Sequence, residues 1–516
     1  MTGPGTVYLV GAGPGDPELI TARGLRRLRE ADMVLYDALV HPDQLQAARA
    51  DAELVFVGKR AGRASERQAA INRRLIEAAR QGKTVVRLKG GDPYLFGRGS
   101  EEAELLAAEG IPFEVVPGVP SPLAATAYAG LALTHRELAS SVAYVTATES
   151  VEKDRTGHDW AKLATATQTL VIFMGMRKLD SLAKILIDHG RPADTPAAVV
   201  QWASLPRQRT VVGTLRDIHA RASAAGLGLP ALTIVGEVVR LRNHLRWFDT
   251  KPLFGKRVLV TRAVHQAGSI ASQLRDEGAQ PIVAPTIRIA PPDDLGPLRD
   301  AVAHLDRYDW VLFTSSNAVD SFFAALEEAG LDARALGRAR LCAIGIKTAT
   351  ALTAHGLRPD VVPEDARAEG VIAALRPAID SDLGDRTRIL LPRAEVAREL
   401  LPESLREAGA EIDVVTAYRN LPPDASEVAR IQSLIDPDEI DAVLFTSSST
   451  VRHLYDLLGD DAAERLNAVA LFSIGPVTTK TAEELGLSVK ATSDAQTIES
   501  LVATVRGYYA SRDVDA

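Results

Sequence analysis

Cysteine is almost absent: Cys342 is the single one in 516 residues. No disulfide can form within the chain, and a thiolate metal site is not expected. Cys342 lies in the apolar run Leu341-Cys342-Ala343-Ile344, the setting of a small core side chain rather than a catalytic thiol. Long hydrophobic runs are missing too. Stretches such as Thr169–Met174 are far too short to span a bilayer, and MTGPGTVYLVGAG lacks the basic region and long apolar stretch of a signal peptide. Nor is there a surplus of positive charge. With 59 Lys and Arg against 67 Asp and Glu, the formal net charge is −8, so no overall field draws in nucleic acid or an anionic membrane. A polyanionic ligand would need a local cationic patch. A reducing cytoplasm is the expected setting.

What is present is ordinary for a globular protein: 46% hydrophobic and 24% charged residues. The length exceeds what one core organises, so roughly two to four compact units are expected. A basic, aromatic connector runs from Arg240 to Phe254, and Gly255-Lys256 then opens a new strand, Arg257-Val-Leu-Val-Thr-Arg262. A boundary near residue 250 follows, with Pro252 and Gly255 as punctuation. Beyond it the sequence echoes itself. RVLVTRA at 257–263 resembles RILLPRA at 388–394, DWVLFTSSNAV at 309–319 matches DAVLFTSSSTV at 441–451, and LCAIGIKTATAL at 341–352 parallels LFSIGPVTTKTA at 471–482. Two similar α/β lobes with a ligand cleft between them are the natural reading.

The first half alternates apolar strands with helices. Strands are expected at Val7–Val10, Met33–Tyr36, Leu54–Val57, Val85–Leu88, Phe113–Val116, Val142–Thr146, Leu170–Phe173, Ala197–Val200 and Leu232–Val235. Helices are expected at Gln68–Arg80 and Glu101–Glu109 from their apolar spacing. Pro117-Gly118 separates two lobes.

Two glycine loops stand out. The first strand ends in Gly11-Ala-Gly-Pro-Gly-Asp16, which imitates a dinucleotide loop, with Asp37 in the place of a ribose-binding acid. The pattern needs glycine where Asp16 stands, and Pro14 lacks an amide for phosphate. The second loop, Lys89-Gly-Gly-Asp-Pro-Tyr-Leu-Phe-Gly-Arg98-Gly99, carries Asp92, which would repel phosphate and suits a neutral or cationic ligand.

At this point a resemblance can be stated. VGAGPGDPELIT at 10–21, YD at 36–37, VFVGKRAG at 55–62, VVRLKGGDPYLFGRG at 85–99, GIPFEVVPGV at 110–119 and Leu133-Thr-His-Arg136 resemble the uroporphyrinogen-III C-methyltransferases. The resemblance implies a two-lobed tetrapyrrole-methylase fold over residues 1–245, with lobes of about 1–116 and 117–245. It implies S-adenosylmethionine as methyl donor, S-adenosylhomocysteine as product, and a homodimer. It assigns Pro14, Gly90, Gly91, Asp92, Leu95, Pro120, Ser121, Met174 and Ala203 to the cofactor, Asp37 to proton acceptance and Lys59 to proton donation. A substrate with many carboxylates makes Arg60, Arg63, Arg87, Lys89, Arg98 and Arg136 the expected cationic surface.

Residues 255–516 resemble the uroporphyrinogen-III synthases through the paired TSSN and TSSS turns with IGIKT and IGPVT. The implied fold is a pair of flavodoxin-like α/β lobes after a linker at 246–254. One lobe takes about 255–287 plus 420–512, the other about 290–417. Ser315, Ser316, Asn317, Thr348, Ser447, Ser448 and Thr478 are the expected substrate contacts, since turn and helix-start amides suit carboxylates. Tyr418 matches the position that assists departure of the hydroxyl. No metal-ligand set or Ser-His-Asp set is apparent. The implied function is a bifunctional enzyme taking hydroxymethylbilane to uroporphyrinogen III and on to precorrin-2. Two rival readings are a methyltransferase with a non-catalytic tetrapyrrole-binding module and a nicotinamide-dependent oxidoreductase.

Overall fold

The computed structural model describes residues 4–58, 68–147, 157–262, 264–381 and 386–512. Its framework is four five-stranded sheets. The first holds β1 (Val7–Gly11), β2 (Met33–Tyr36), β3 (Glu53–Phe56), β4 (Val85–Lys89) and β5 (Phe113–Val116), in the order β3-β2-β4-β1-β5 with all pairs parallel. The helix Gln68–Arg80 forms as its spacing predicts, burying Ile71, Leu75, Ala78 and Ala79 on one side. These meet Val7, Leu9, Leu35 and Val85. Fully burying one such leucine contributes about 1.5–3 kcal/mol. The helix expected at Glu101–Glu109 runs Gly99–Ala108.

The second sheet holds β6 (Val142–Thr146), β7 (Thr169–Phe173), β8 (Pro196–Gln201), β9 (Arg209–Thr214) and β10 (Ala231–Val235), in the order β6-β7-β10-β8-β9. β6 and β7 are parallel, whereas β10 runs antiparallel to both neighbours and β9 antiparallel to β8. β9 was not expected from the sequence. It lies at the edge of the sheet, Val211 and Val212 are adjacent rather than alternating, and no residue of the strand is fully buried.

The latter half contributes β11 (Arg257–Val260), β12 (Gln280–Val283), β13 (Arg288–Ala290), β14 (Trp310–Phe313), β15 (Arg340–Ala343), β16 (Arg388–Ala394), β17 (Glu411–Leu421), β18 (Ala442–Phe445), β19 (Ala470–Ser473) and β20 (Val489–Thr492). They form sheets of order β12-β11-β18-β19-β20 and β13-β17-β16-β14-β15. The first is the doubly wound order 2-1-3-4-5, and the second repeats 2-1-3-4 with β13, antiparallel to β17, in the fifth place. Buried Phe313 and Phe445 sit at matching places in the echo, which accounts for the repetition of its apolar letters. Cys342 lies fully buried in β15, and burial pushes its thiol up to about 12. The expected α/β class holds throughout.

By compactness the chain divides into two units, Met1–Val258 with Ile270–Ile282 and Ile498–Ala516, and Leu259–Ser269 with Val283–Thr497. Within the first unit the connector at 246–254 is packed. Phe248 and Leu253 are 4% and 0% exposed. The Phe248 ring meets those of Tyr128 at 4.8 Å and Phe254 at 5.3 Å. Trp247 Nε1 donates to the Ala127 carbonyl at 2.8 Å. No described helix is long and apolar enough to cross a membrane.

Candidate active site

In the first sheet both glycine loops leave the carboxyl ends of neighbouring strands, β1 and β4. Their crossovers run to opposite sides, toward β2 and β5, which is where an open parallel sheet leaves a crevice. The loops are stitched together: Gly13 and Gly91 exchange backbone hydrogen bonds at 3.2 and 2.9 Å. Gly11 has to be glycine because a Cβ there would lie 2.5 Å from Gly118 Cα and 2.7 Å from the Gly91 carbonyl. A Cβ at Gly91 would meet only the Ser121 amide, at 3.8 Å, so the Gly90-Gly91 turn borders open space on that side. Pro120 caps the helix Ser121–Ala129, and Leu95 is half-buried nearby in sequence.

Asp92 is engaged at both carboxylate oxygens. Its Oδ1 accepts from the Tyr94 amide at 2.8 Å and its Oδ2 from the Gly118 amide at 3.0 Å. Oδ1 thus closes the loop on itself and Oδ2 ties it to the segment after β5, so the carboxylate holds the turn in shape.

Asp37 follows β2, with its side chain 30% exposed. Its Oδ1 accepts from Arg87 Nη2 at 2.6 Å. Arg87 and Lys89 were expected on a cationic surface, but the structure buries them to 2% and 3% exposure. They alternate along β4 and so share a face, where Glu102 Oε1 takes Arg87 Nε and Lys89 Nζ, each at 3.2 Å. Burial lowers the Lys89 pKa, and the charge of Arg87 lowers it further against the pull of Glu102. These two cations therefore answer an internal acid. Arg98 is exposed and paired with Glu101 at 2.5 Å, and Arg136 is exposed. Lys59, Arg60 and Arg63 lie outside the described residues.

The second sheet brings its own loops to this site. Met174, after β7, is 46% exposed. The Phe173 ring meets that of Phe96 from the second glycine loop at 4.7 Å. Ala203 follows β8, and a Cβ on Gly15 would lie 2.4 Å from its carbonyl. Ser204 Oγ donates to the Pro14 carbonyl at 2.5 Å and accepts from the Asp16 amide at 3.0 Å. Asp16 Oδ2 accepts from the Tyr128 hydroxyl at 2.8 Å. Burial, and then the charge of Asp16, push that phenol well above its ordinary range. Phe96, Arg98, Met174, Trp202 and Ser204 all hold positive φ, between 50° and 64°. Such strain costs about 1–3 kcal/mol per residue and gathers at functional sites. Sequence reading missed Phe96, Ser204, Asp16 and Tyr128, because their partners lie across long sequence separations. Ser204→Ala removes two of these bonds and leaves the Asp16 amide without its acceptor. A loss of about 1–3 kcal/mol in urea unfolding is expected, together with weaker S-adenosylhomocysteine binding by calorimetry.

In the latter half, Ser315 caps the helix Ser316–Glu328 by accepting from the Ala318 amide at 3.1 Å. Its Oγ also lies 3.1 Å from the Tyr418 hydroxyl. Thus two expected residues, one just after β14 and one within β17, meet, and Tyr418 is 7% exposed. Ser316 and Asn317 fill the first turn of the same helix and are half-buried. Thr348 is buried in the helix Ile346–Ala354. Ser447 caps the helix Ser448–Leu458 with a capping box to Thr450. Ser448 Oγ donates to the Val477 carbonyl at 3.3 Å, beside the buried Thr478.

Of these side chains, Ser315 and Ser447 cap the helices they precede. The echo also marks two residues not singled out, Arg262 and Arg393. Burial lowers the pKa of Arg262. Burial, and then the charge of Arg262, lower that of Lys347. Arg393 pairs with Glu399 beside a cavity of about 430 Å³ lined by Thr314, Ile344, Leu391, Arg398 and Leu401.

Comparison with known proteins agrees with this division of labour. Residues 6–219 match the family of tetrapyrrole (corrin/porphyrin) methylases, and residues 268–503 match that of uroporphyrinogen-III synthase HemD. The chain is 37% identical over 499 residues to the porphyrin biosynthesis protein HemD of Ruminiclostridium josui, covering 96% of this chain and 97% of that one. It is 39% identical over 370 residues to the uroporphyrinogen-III C-methyltransferase of Bacillus subtilis (strain 168), covering 72% and 76%. A solved uroporphyrin-III C-methyltransferase of Thermus thermophilus, complexed with S-adenosylhomocysteine, is 44% identical over 46% of this chain and 100% of that one, with a TM-score of 0.40. The chain therefore belongs to the family of porphyrin-biosynthesis enzymes in which a tetrapyrrole methylase is followed by a uroporphyrinogen-III synthase.

Proposed function

We propose that the chain closes hydroxymethylbilane to uroporphyrinogen III, with inversion of ring D, and then methylates that product twice to precorrin-2. The observation that carries the methyltransferase half is the meeting of the Pro14-Gly15 loop with Ala203-Ser204, beside the open ground at Gly91. Positions assigned to one cofactor from distant parts of the sequence come together there. S-adenosylmethionine fits the chemistry of this place. The loops offer backbone polar groups, an exposed methionine and aromatic rings, and the nearby Asp92 would repel a phosphate. Bound there, the cofactor supplies an electrophilic methyl group. The loops orient it, the rings of Phe96 and Phe173 help exclude water, and Asp37 accepts the proton that the methylated carbon loses. Lys59 is the proposed proton donor. Arg98 and Arg136, with Arg60 and Arg63, are the proposed holders of substrate carboxylates.

For ring closure the chain must fold a flexible polyanion and assist loss of a hydroxyl group. Tyr418, bound to Ser315, is the proposed helper, and the amides of the Ser315–Asn317 and Ser447–Ser448 turns are proposed to grip carboxylates. The proposed domain limits are 1–245 and 255–516, and a cytoplasmic homodimer is the proposed state. Tyr418→Phe keeps the ring in its buried seat and deletes the hydroxyl. Uroporphyrinogen III formation is expected to slow by about 10- to 100-fold, with melting changed little. An unchanged rate would remove the tyrosine from the reaction.

The whole reading is tested by incubating the full chain with hydroxymethylbilane, with and without methyl donor, and resolving the products. Type III isomer alone, then precorrin-2 on adding donor, is the expected pair of results. The type I isomer alone would defeat the synthase half. Type III isomer left unmethylated in the presence of donor would defeat the methyltransferase half.

A further inference from the structure

Four charged side chains, two of each sign, form one connected group behind the first glycine loops. Arg87 is the centre, and every edge of its guanidinium is engaged. Nε donates to Glu102 Oε1 at 3.2 Å, Nη2 donates to Asp37 Oδ1 at 2.6 Å, and Nη1 reaches the carbonyls of Leu35 and Leu88 at 3.4 and 3.2 Å. Glu102 is 1% exposed, and its Oε1 also accepts from Lys89 Nζ at 3.2 Å and from Gln68 Nε2 at 2.9 Å. Its Oε2 has no hydrogen-bond partner among the described residues.

Stability is a poor account of such a group. Replacing a buried ion pair by apolar side chains is commonly neutral or stabilising. The group has one outlet, because Asp37 is the only one of its four charged members with a side chain substantially open to solvent. A planar fork held on all sides also fixes whatever it grips, which a single ammonium cannot do.

We infer that Arg87 and Glu102 are positioning residues for Asp37: Glu102 locks the guanidinium plane of Arg87, and Arg87 holds the Asp37 carboxylate by Oδ1 in the orientation that meets the reacting carbon. The inference rests on the proposed reading of Asp37 as proton acceptor. Neither Arg87 nor Glu102 touches substrate in this account.

The test uses the full chain and four variants: Arg87→Lys, Glu102→Gln, the pair Lys89→Met/Glu102→Gln, and Asp37→Asn. The measurements are methylation kcat, KM for uroporphyrinogen III, and S-adenosylhomocysteine affinity by calorimetry. Arg87→Lys and Glu102→Gln are each expected to lower kcat by on the order of 100-fold, the cost of a misplaced catalytic group. KM and cofactor affinity should stay within about threefold, since ground-state binding is untouched. Should Glu102→Gln fail to fold, the paired variant removes one charge of each sign, keeps the buried charges even, and carries the same expectation. Full kcat in Arg87→Lys and Glu102→Gln alongside a crippled Asp37→Asn would overturn the inference and leave the reading of Asp37 standing. Full kcat in Asp37→Asn would overturn both. Cofactor affinity falling in step with kcat would reduce Arg87 and Glu102 to structural props and overturn the inference as well.

Discussion

Asp37→Ala is expected to slow methylation by about 100- to 10,000-fold, the range a positioned general base contributes. S-adenosylhomocysteine should still bind with nearly its original affinity. The reason lies in the division of the site. The glycine loops close on one another through contacts that do not involve the Asp37 side chain, the backbone pair Gly13–Gly91 and the bond from the Gly118 amide to Asp92 Oδ2. Asp37 keeps its backbone bond to Leu88 whatever its side chain. What the variant removes is the acceptor of the proton and the partner of Arg87 Nη2. Calorimetry and single-turnover methylation separate the two. A parallel collapse of cofactor affinity would mark Asp37 as a binding residue.

Gly11→Val is expected to disrupt the ends of three strands of the first sheet at once. The new Cβ would sit 2.5 Å from the Cα and amide nitrogen of Gly118 and 2.7 Å from the Gly91 carbonyl. These are backbone atoms of two other segments, so no side chain can swing aside. Relief requires separating the loops after β1, β4 and β5, which breaks the Gly13–Gly91 bridge and the Asp92–Gly118 bond together. A loss of more than about 3 kcal/mol, the upper range for overpacking, is expected in urea unfolding. Cofactor binding should fall below detection even where the variant is still folded. Normal binding by a folded Gly11→Val protein would mean that the loops do not build the cofactor site.

Strands were legible wherever apolar residues ran together and ended at glycine or proline, as at Val7–Gly11 and Val85–Lys89. β9 escaped because an edge strand needs no buried face to announce itself. The doubled lobes were legible because both copies meet the same packing demand at Phe313 and Phe445. The site was harder to read. Arg87 and Lys89 looked like surface cations because nothing nearby in sequence shows what they face. A usable sign did exist: two cations with one residue between them in an otherwise apolar strand, followed by Glu101-Glu102 at the start of the next helix. The strained turns at Met174 and Ser204 had no such sign. Their shape depends on partners such as Pro14, 190 residues away from Ser204.

The connector between the two matched segments has a consequence for how this enzyme can vary. A tether is free to lengthen or shorten, because only its reach matters. Here Phe248 and Leu253 are core residues, and Trp247 is bonded to the helix Ser121–Ala129. The junction is therefore bound to a set number of residues in a set order, as the inside of a helix is, and relatives joined in this way should differ in letter there but not in length.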